Sequence, residues 1–181
     1  IDESLKQLKT IAWMPIHQKP TDSFLPWNEA ITVTDVVPPQ LCRPFSDLWL
    51  CSYSMCLSLK PIQSDELIKA LGWSEQLPIQ IIATQLRELA IKYNTTIEKK
   101  RRQSTQGQQP SQAQQQGNEQ EEQEIQEIRE RITALIPILY QRLNGAHSNE
   151  VSSIQSILNS QPWIWVGDTF VHSNKVAIGR A

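Results

Sequence analysis

Two apolar stripes at helical spacing, separated by a run of glutamines, constrain this chain more than any other feature. Ile79, Ile82, Leu86, Leu89, Tyr93 and Ile97 recur at intervals of three and four, and so do Ile125, Ile128, Ile132, Leu135, Leu139 and Leu143. A period near 3.6 places each set on one face of a helix. Pro78 suits the first turn of the first helix, and Asn144-Gly145 ends the second. Pro137 falls inside the second helix, where its ring opposes the Thr133 carbonyl and predicts a kink or break. Between the stripes, Gln103 to Gln123 holds ten glutamines in twenty-one positions and one apolar residue, Ala113. Such a segment buries too little surface to offset its chain entropy, which predicts a disordered tip. Lys99, Lys100, Arg101 and Arg102 close the first helix, while Glu119, Glu121, Glu122, Glu124 and Glu127 open the second. Each cluster complements its own helix end, and the two face each other in an antiparallel pair. The expectation is a helical hairpin with complementary charge at its mouth rather than a nucleic-acid patch.

The flanks have a different character. Residues 1–60 are rich in proline and aromatics, with one short strand expected over Thr10–Ile16, at an edge because of Pro15, and another over Ile31–Thr34. Phe45 to Leu59 is ambiguous between strand and helix. Ser64-Asp65-Glu66 starts a short helix that stops at Gly72, and Val151–Leu158 is a last helix with Ser148 as its N-cap. Trp163–Val166, Gly167-Asp168 and Thr169–Val171 read as a β-hairpin, with a third short strand at Val176–Ile178. Trp163 and Trp165 share one face of their strand and Ile164 and Val166 the other, which predicts a strand covered on both sides, with the Trp13 run as its neighbour. The fold class is therefore α+β: an antiparallel helical hairpin plus short helices, with short strands near both ends. Its regions are 1–60, 61–102, the insert 103–123, 124–160 and 161–181, read as one domain-sized segment. The chain opens on Ile1 without a secretory signal and is expected to be part of a longer protein.

Chemistry is sparse. A net charge of −2 and a pI near 5.9 give no global attraction to nucleic acid or an anionic membrane. No apolar run approaches a bilayer-spanning length. Cys42, Cys51 and Cys56 form no C-x-x-C pair and His17, His147 and His172 are scattered, so thiols in a reducing compartment are expected, with neither metal nor cofactor. Phosphate-cradling loops and nucleophile elbows are absent, and the carboxylate pairs fall at helix starts; no catalytic residue is expected. Arg101-Arg102-Gln103-Ser104 offers Ser104 to a basic-directed kinase. Asn94-Thr95-Thr96 fits the glycosylation pattern, which the absence of secretory features disfavours.

Six tryptophans, Trp13, Trp27, Trp49, Trp73, Trp163 and Trp165, suit a role as core anchors; a surface patch for a partner is the alternative. The strings Thr10–Pro15, Leu25–Trp27, Leu71–Trp73 and Pro162–Val171 resemble, in order and spacing, the large repeats of the sacsin family over Leu5 to Ile178. The Gln-rich insert departs from that pattern. The resemblance implies a very large cytoplasmic, chaperone-associated protein linked to intermediate-filament organisation and a spastic ataxia. It places this segment in a repeat, outside the Hsp90-like nucleotide-binding module, whose motifs are missing here. Trp13, Trp27, Trp163, Trp165, Gly167 and Phe170 are then structural anchors. The implied partners are neighbouring repeat modules, and Hsp70-class chaperones or intermediate filaments through the full-length protein, with no nucleic acid and no membrane insertion. Two alternative roles follow: a client- or filament-binding surface, and completion of the neighbouring ATPase through Arg87 or Lys92.

Overall fold

The computed structural model describes residues 3–17, 33–105 and 112–176. The chain divides into two compact units, Ile1–Gln85 and Leu86–Ala181, rather than at the composition boundaries of the sequence, and its architecture is mixed α+β.

The first unit opens with α1 (Glu3–Leu8). The expected strand starts later than its apolar run, because Thr10 folds back onto the Gln7 carbonyl and the Trp13 indole donates to the Leu8 carbonyl at 2.8 Å. Strand β1 (Met14–His17) pairs antiparallel with β2 (Val33–Val37), so the second strand also lies later than expected; residues 31 and 32, like Trp27, lie outside the described residues. Pro15 does not end β1. Its carbonyl accepts from Leu59 N at 2.9 Å, and on that side β1 makes only an isolated bridge, Ile16 to Ser58. The missing proline N–H therefore faces a side with no ladder to interrupt.

The ambiguous stretch resolves into short pieces. β3 (Cys42–Arg43) and β4 (Cys56–Leu57) form a parallel pair, with α2 (Leu48–Cys51) between them in sequence. α3 (Asp65–Leu71) keeps both of its expected ends. Ser64 Oγ accepts from Leu67 N at 3.2 Å, and Gly72 takes the left-handed conformation at φ 77° with Trp73 N returning to the Ile68 carbonyl. One apolar cluster gathers Met14, Cys42, Leu71 and Trp73; another gathers Leu48, Cys51 and Leu57.

α4 (Ile79–Thr105) begins in the first unit and continues into the second, where α5 (Gln112–Asn144) follows. The helices reach further into the glutamine segment than its polarity suggests: α4 runs through Thr105 and α5 from Gln112, with 106–111 outside the described residues. Glutamine and glutamate are good helix formers, so a helix can extend here without burying a face. Residues 106–111 reach about 24 Å at most, against about 40 Å for the 27 residues of α4. Only an antiparallel return fits, and Arg129 Nε meets Tyr93 Oη at 3.3 Å. The stripe residues Ile82, Leu86, Leu89, Tyr93, Ile97, Ile132, Leu135 and Leu139 are all buried. At the mouth, Arg102 pairs along its own helix with Glu98 at 3.5 Å.

Pro137 does not break α5, which is continuous to Asn144. Glu150, not Ser148, occupies the N-cap position of α6 (Val151–Leu158) without a side-chain bond into the helix, and its carboxylate instead accepts from His147 N at 2.9 Å. The chain ends in β5 (Ile164–Trp165) and β6 (Phe170–Val171). A 3-10 turn over Ser173–Lys175 follows, and of the third strand expected over Val176–Ile178, residues 177 and 178 lie outside the described residues. β5 and β6 form a sheet of their own, so the Trp13 strand is not their neighbour; it pairs with β2.

The Pro137 ring is exposed, so it brings little packing to set against its cost to the helix. Pro137→Ala is expected to raise stability by about 1–3 kcal/mol in urea unfolding. An unchanged or lower midpoint would show that the ring makes a native contact.

Candidate functional site

In the second unit the C-terminal hairpin is fastened to the helices by side chains that pair with its backbone as a further strand would. Asn94 of α4 is half-buried, next to the buried Tyr93. Its Nδ2 donates to the Phe170 carbonyl at 3.2 Å, and its Oδ1 accepts from Phe170 N and from Thr169 Oγ1, both at 3.3 Å. An amide side chain has the donor and acceptor of a peptide group, so it pairs with β6 as a strand would. Tyr140 of α5 does the same for β5: its hydroxyl donates to the Trp163 carbonyl at 3.0 Å and accepts from Trp165 N at 2.9 Å. Burial raises the Tyr140 pKa, against the opposing effect of the Trp165 N–H bond, which keeps the phenol in the protonated form that this double role needs. Tyr93 Oη donates to the Asp168 carbonyl at 2.8 Å.

Aromatic rings fill the space between. Tyr93 meets Trp165 edge-on at 5.2 Å and Phe170 at 5.9 Å, while Trp165 and Phe170 lie 4.9 Å apart. Trp163 meets Tyr140 at 6.1 Å and 88°. Such edge geometries add about 0.5–1.5 kcal/mol per pair beyond area burial. The two tryptophans do share the helix-facing side, but the opposite side is not covered as expected: Ile164 is half-buried and Val166 is 50% exposed. Gly167 adopts φ 102° in the turn, with Val166 N returning to the Thr169 carbonyl at 3.1 Å. An added Cβ meets nothing within 4 Å, so the backbone conformation, not space, selects glycine here.

The first unit uses a buried cation in the same way. Arg43 donates through Nε to Asp47 at 2.8 Å and through its terminal nitrogens to the carbonyls of Gly72 at 3.1 Å, Trp73 at 3.2 Å and Glu75 at 3.1 Å. The guanidinium thereby serves the carbonyl-rich end of α3, where cations are favoured. Gln85, fully buried, accepts from Tyr53 N at 2.9 Å and donates to Ser52 Oγ at 2.8 Å. Burial pushes the Cys42 and Cys51 thiols up to about 12, so little of either is thiolate at neutral pH.

Of the anchors read from sequence, Trp163, Trp165, Gly167 and Phe170 converge in the hairpin clamp, Trp13 caps α1 in the first unit, and Trp27 lies outside the described residues. Ser104 lies in the last turn of α4, with its side chain outside the described residues. The Asn94 amide nitrogen, the glycosylation target, is held by the Phe170 carbonyl. Arg87 pairs with Glu88 at 2.6 Å. Among the described residues no cluster of three or more His, Cys, Asp or Glu side chains is arranged to hold a metal, and no helix is long and apolar enough to cross a membrane. Sequence reasoning missed Arg43, Gln85, Asn94 and Tyr140 as fasteners. Gln85 and Asn94 carried a signal, since each is a polar residue on the apolar stripe of α4. No protein-family model, curated protein or solved structure matches this chain.

Two substitutions test these fasteners. Arg43→Ala removes the donor for three carbonyls and strands Asp47; a loss of about 3–5 kcal/mol is expected in urea unfolding, and Arg43→Lys should recover little because an ammonium cannot span the same acceptors. Full recovery by lysine would contradict the planar-fork argument. Asn94→Ala should lose about 1–3 kcal/mol, and Asn94→Asp should do no better because the carboxylate faces the Phe170 carbonyl without a donor. Hydrogen exchange at the Phe170 amide checks the assignment, with faster exchange expected in both variants.

Proposed function

We propose that this chain is a non-catalytic structural and interaction segment of a large chaperone-associated scaffold protein, continuing a sacsin-type repeat and positioning its neighbouring modules in the cytoplasm. The resemblance stands on the four aromatic strings alone. The observation that supports the role is the placement of the rings: Trp73 is buried, and Trp13, Trp49, Trp163 and Trp165 are half-buried, each in a packed setting rather than standing out as a surface patch. The polar groups best placed for chemistry, Arg43, Gln85, Asn94 and Tyr140, are engaged with backbone and turns. Neighbouring repeat modules are the direct partners in this reading, and Hsp70-class chaperones or intermediate filaments are reached through the whole protein. A client-binding surface on this segment would draw instead on aliphatic residues such as Ile138, Val151 and Val166, which are 49%, 41% and 50% exposed.

Trp165→Ala separates the two roles. As an anchor the ring contributes about 3 kcal/mol, the low end of the buried-aromatic range because it keeps some exposure. Urea unfolding should show that loss. A loss below about 1 kcal/mol, small beside that range, together with weakened capture of a chaperone or filament protein, would replace the scaffold reading by the binding one.

A further inference from the structure

Cys42 and Cys56 stand opposite each other in the parallel pair of β3 and β4. Neighbouring strands lie about 5 Å apart, inside the roughly 4.4–6.8 Å between Cα atoms that a disulfide spans. Both residues face the same apolar cluster: Cys42 belongs to the one built with Met14, Leu71 and Trp73, and Cys56 packs against it. Cys51 belongs to the other cluster, with Leu48 and Leu57. The proximity of Cys56 is, after burial, a second cause of the raised Cys42 pKa. Cys42 is 1% exposed and Cys56 is half-buried, so a small oxidant arriving from solvent meets Cys56 first.

We propose that Cys42 and Cys56 are a redox pair that closes to a reversible disulfide under hydroperoxide, stapling β3 to β4. The Cys56 sulfur attacks one peroxide oxygen, breaking the O–O bond and releasing water, and becomes a sulfenic acid. Cys42 then loses its proton and attacks that sulfur. The S–S bond forms, the S–O bond breaks, and hydroxide leaves with the proton as a second water. Two thiols are oxidised and one peroxide is reduced to two waters. The raised Cys42 pKa slows the second step, because only its thiolate attacks.

The test treats the full chain with hydrogen peroxide, digests it without reductant and maps the cross-linked peptides by mass. The expected product joins the Cys42 and Cys56 peptides within one chain, leaves Cys51 reduced, raises the melting temperature by about 5 °C and reverts with dithiothreitol. Cys51→Ala should still form it. Cys56→Ser, at a half-exposed position that tolerates a hydroxyl, should abolish it. A link that involves Cys51, a link only between chains, or Cys56 oxidised to sulfinic acid beside a reduced Cys42 would each overturn the proposal. Peptide mapping of the unsubstituted chain decides among these even where a variant folds poorly.

Discussion

A two-stranded β-ribbon has too few ladder bonds to stand in water, and each sheet described in this chain has only two strands. That constraint governs the rest of the structure. The open sides of such ribbons carry peptide groups that must find partners once they are covered. In the second unit the partners come from side chains: Asn94 reads β6 and Tyr140 reads β5, each offering one donor and one acceptor to backbone atoms. In the first unit Arg43 donates to carbonyls at the end of α3, and Gln85 holds the turn after α2 by accepting from Tyr53 N and donating to Ser52 Oγ. Both units thus fasten irregular backbone with polar groups on regular elements, buried in the first unit and half-buried in the second.

The energetic asymmetry of hydrogen bonds gives these residues their weight. A formed bond contributes only about 0.5–1.5 kcal/mol, whereas an orphaned buried group costs about 1–3. The aromatic rings act in the opposite manner. The indole N–H groups of Trp73, Trp163 and Trp165 are buried without an acceptor among the described residues, so these rings stabilise by area and edge contacts and lose part of that gain to their own polar atom. Trp13, by contrast, uses its indole to cap α1. One residue type thus plays two roles in one chain, and only the local backbone distinguishes them.

Much of the helical framework was legible because it is periodic. The stripes of α4 and α5, the Ser64 cap and the Gly72 stop rest on local spacing and local φ/ψ preference, which need no knowledge of distant residues. The Gly167 turn was legible for the same reason. Arg43 was not, because its acceptors at Gly72, Trp73 and Glu75 lie far along the chain and carbonyl positions leave no mark in sequence. Tyr140 was hidden among apolar residues, where a tyrosine reads as bulk. The reach of the helices into the glutamine segment is not legible from burial, because helix propensity decides where burial is absent. The partner of the Trp13 strand was misassigned because apolar density says that a strand is covered, not by what.

The same contrast bears on what these polar groups are free to do. A site that acts on a ligand must leave polar groups uncommitted, since transition-state or ligand contacts compete with contacts already made. Arg43 already serves four acceptors, and Asn94 and Tyr140 each use both donor and acceptor on the hairpin. Any of them could reach a ligand only by releasing its backbone partners, at the cost of the orphaned groups. Among the described residues, the four polar side chains Arg43, Gln85, Asn94 and Tyr140 are therefore directed at the fold itself. The stability of the hairpin clamp rests on the committed groups of Asn94 and Tyr140, and releasing either one weakens the contact between the hairpin and its helices.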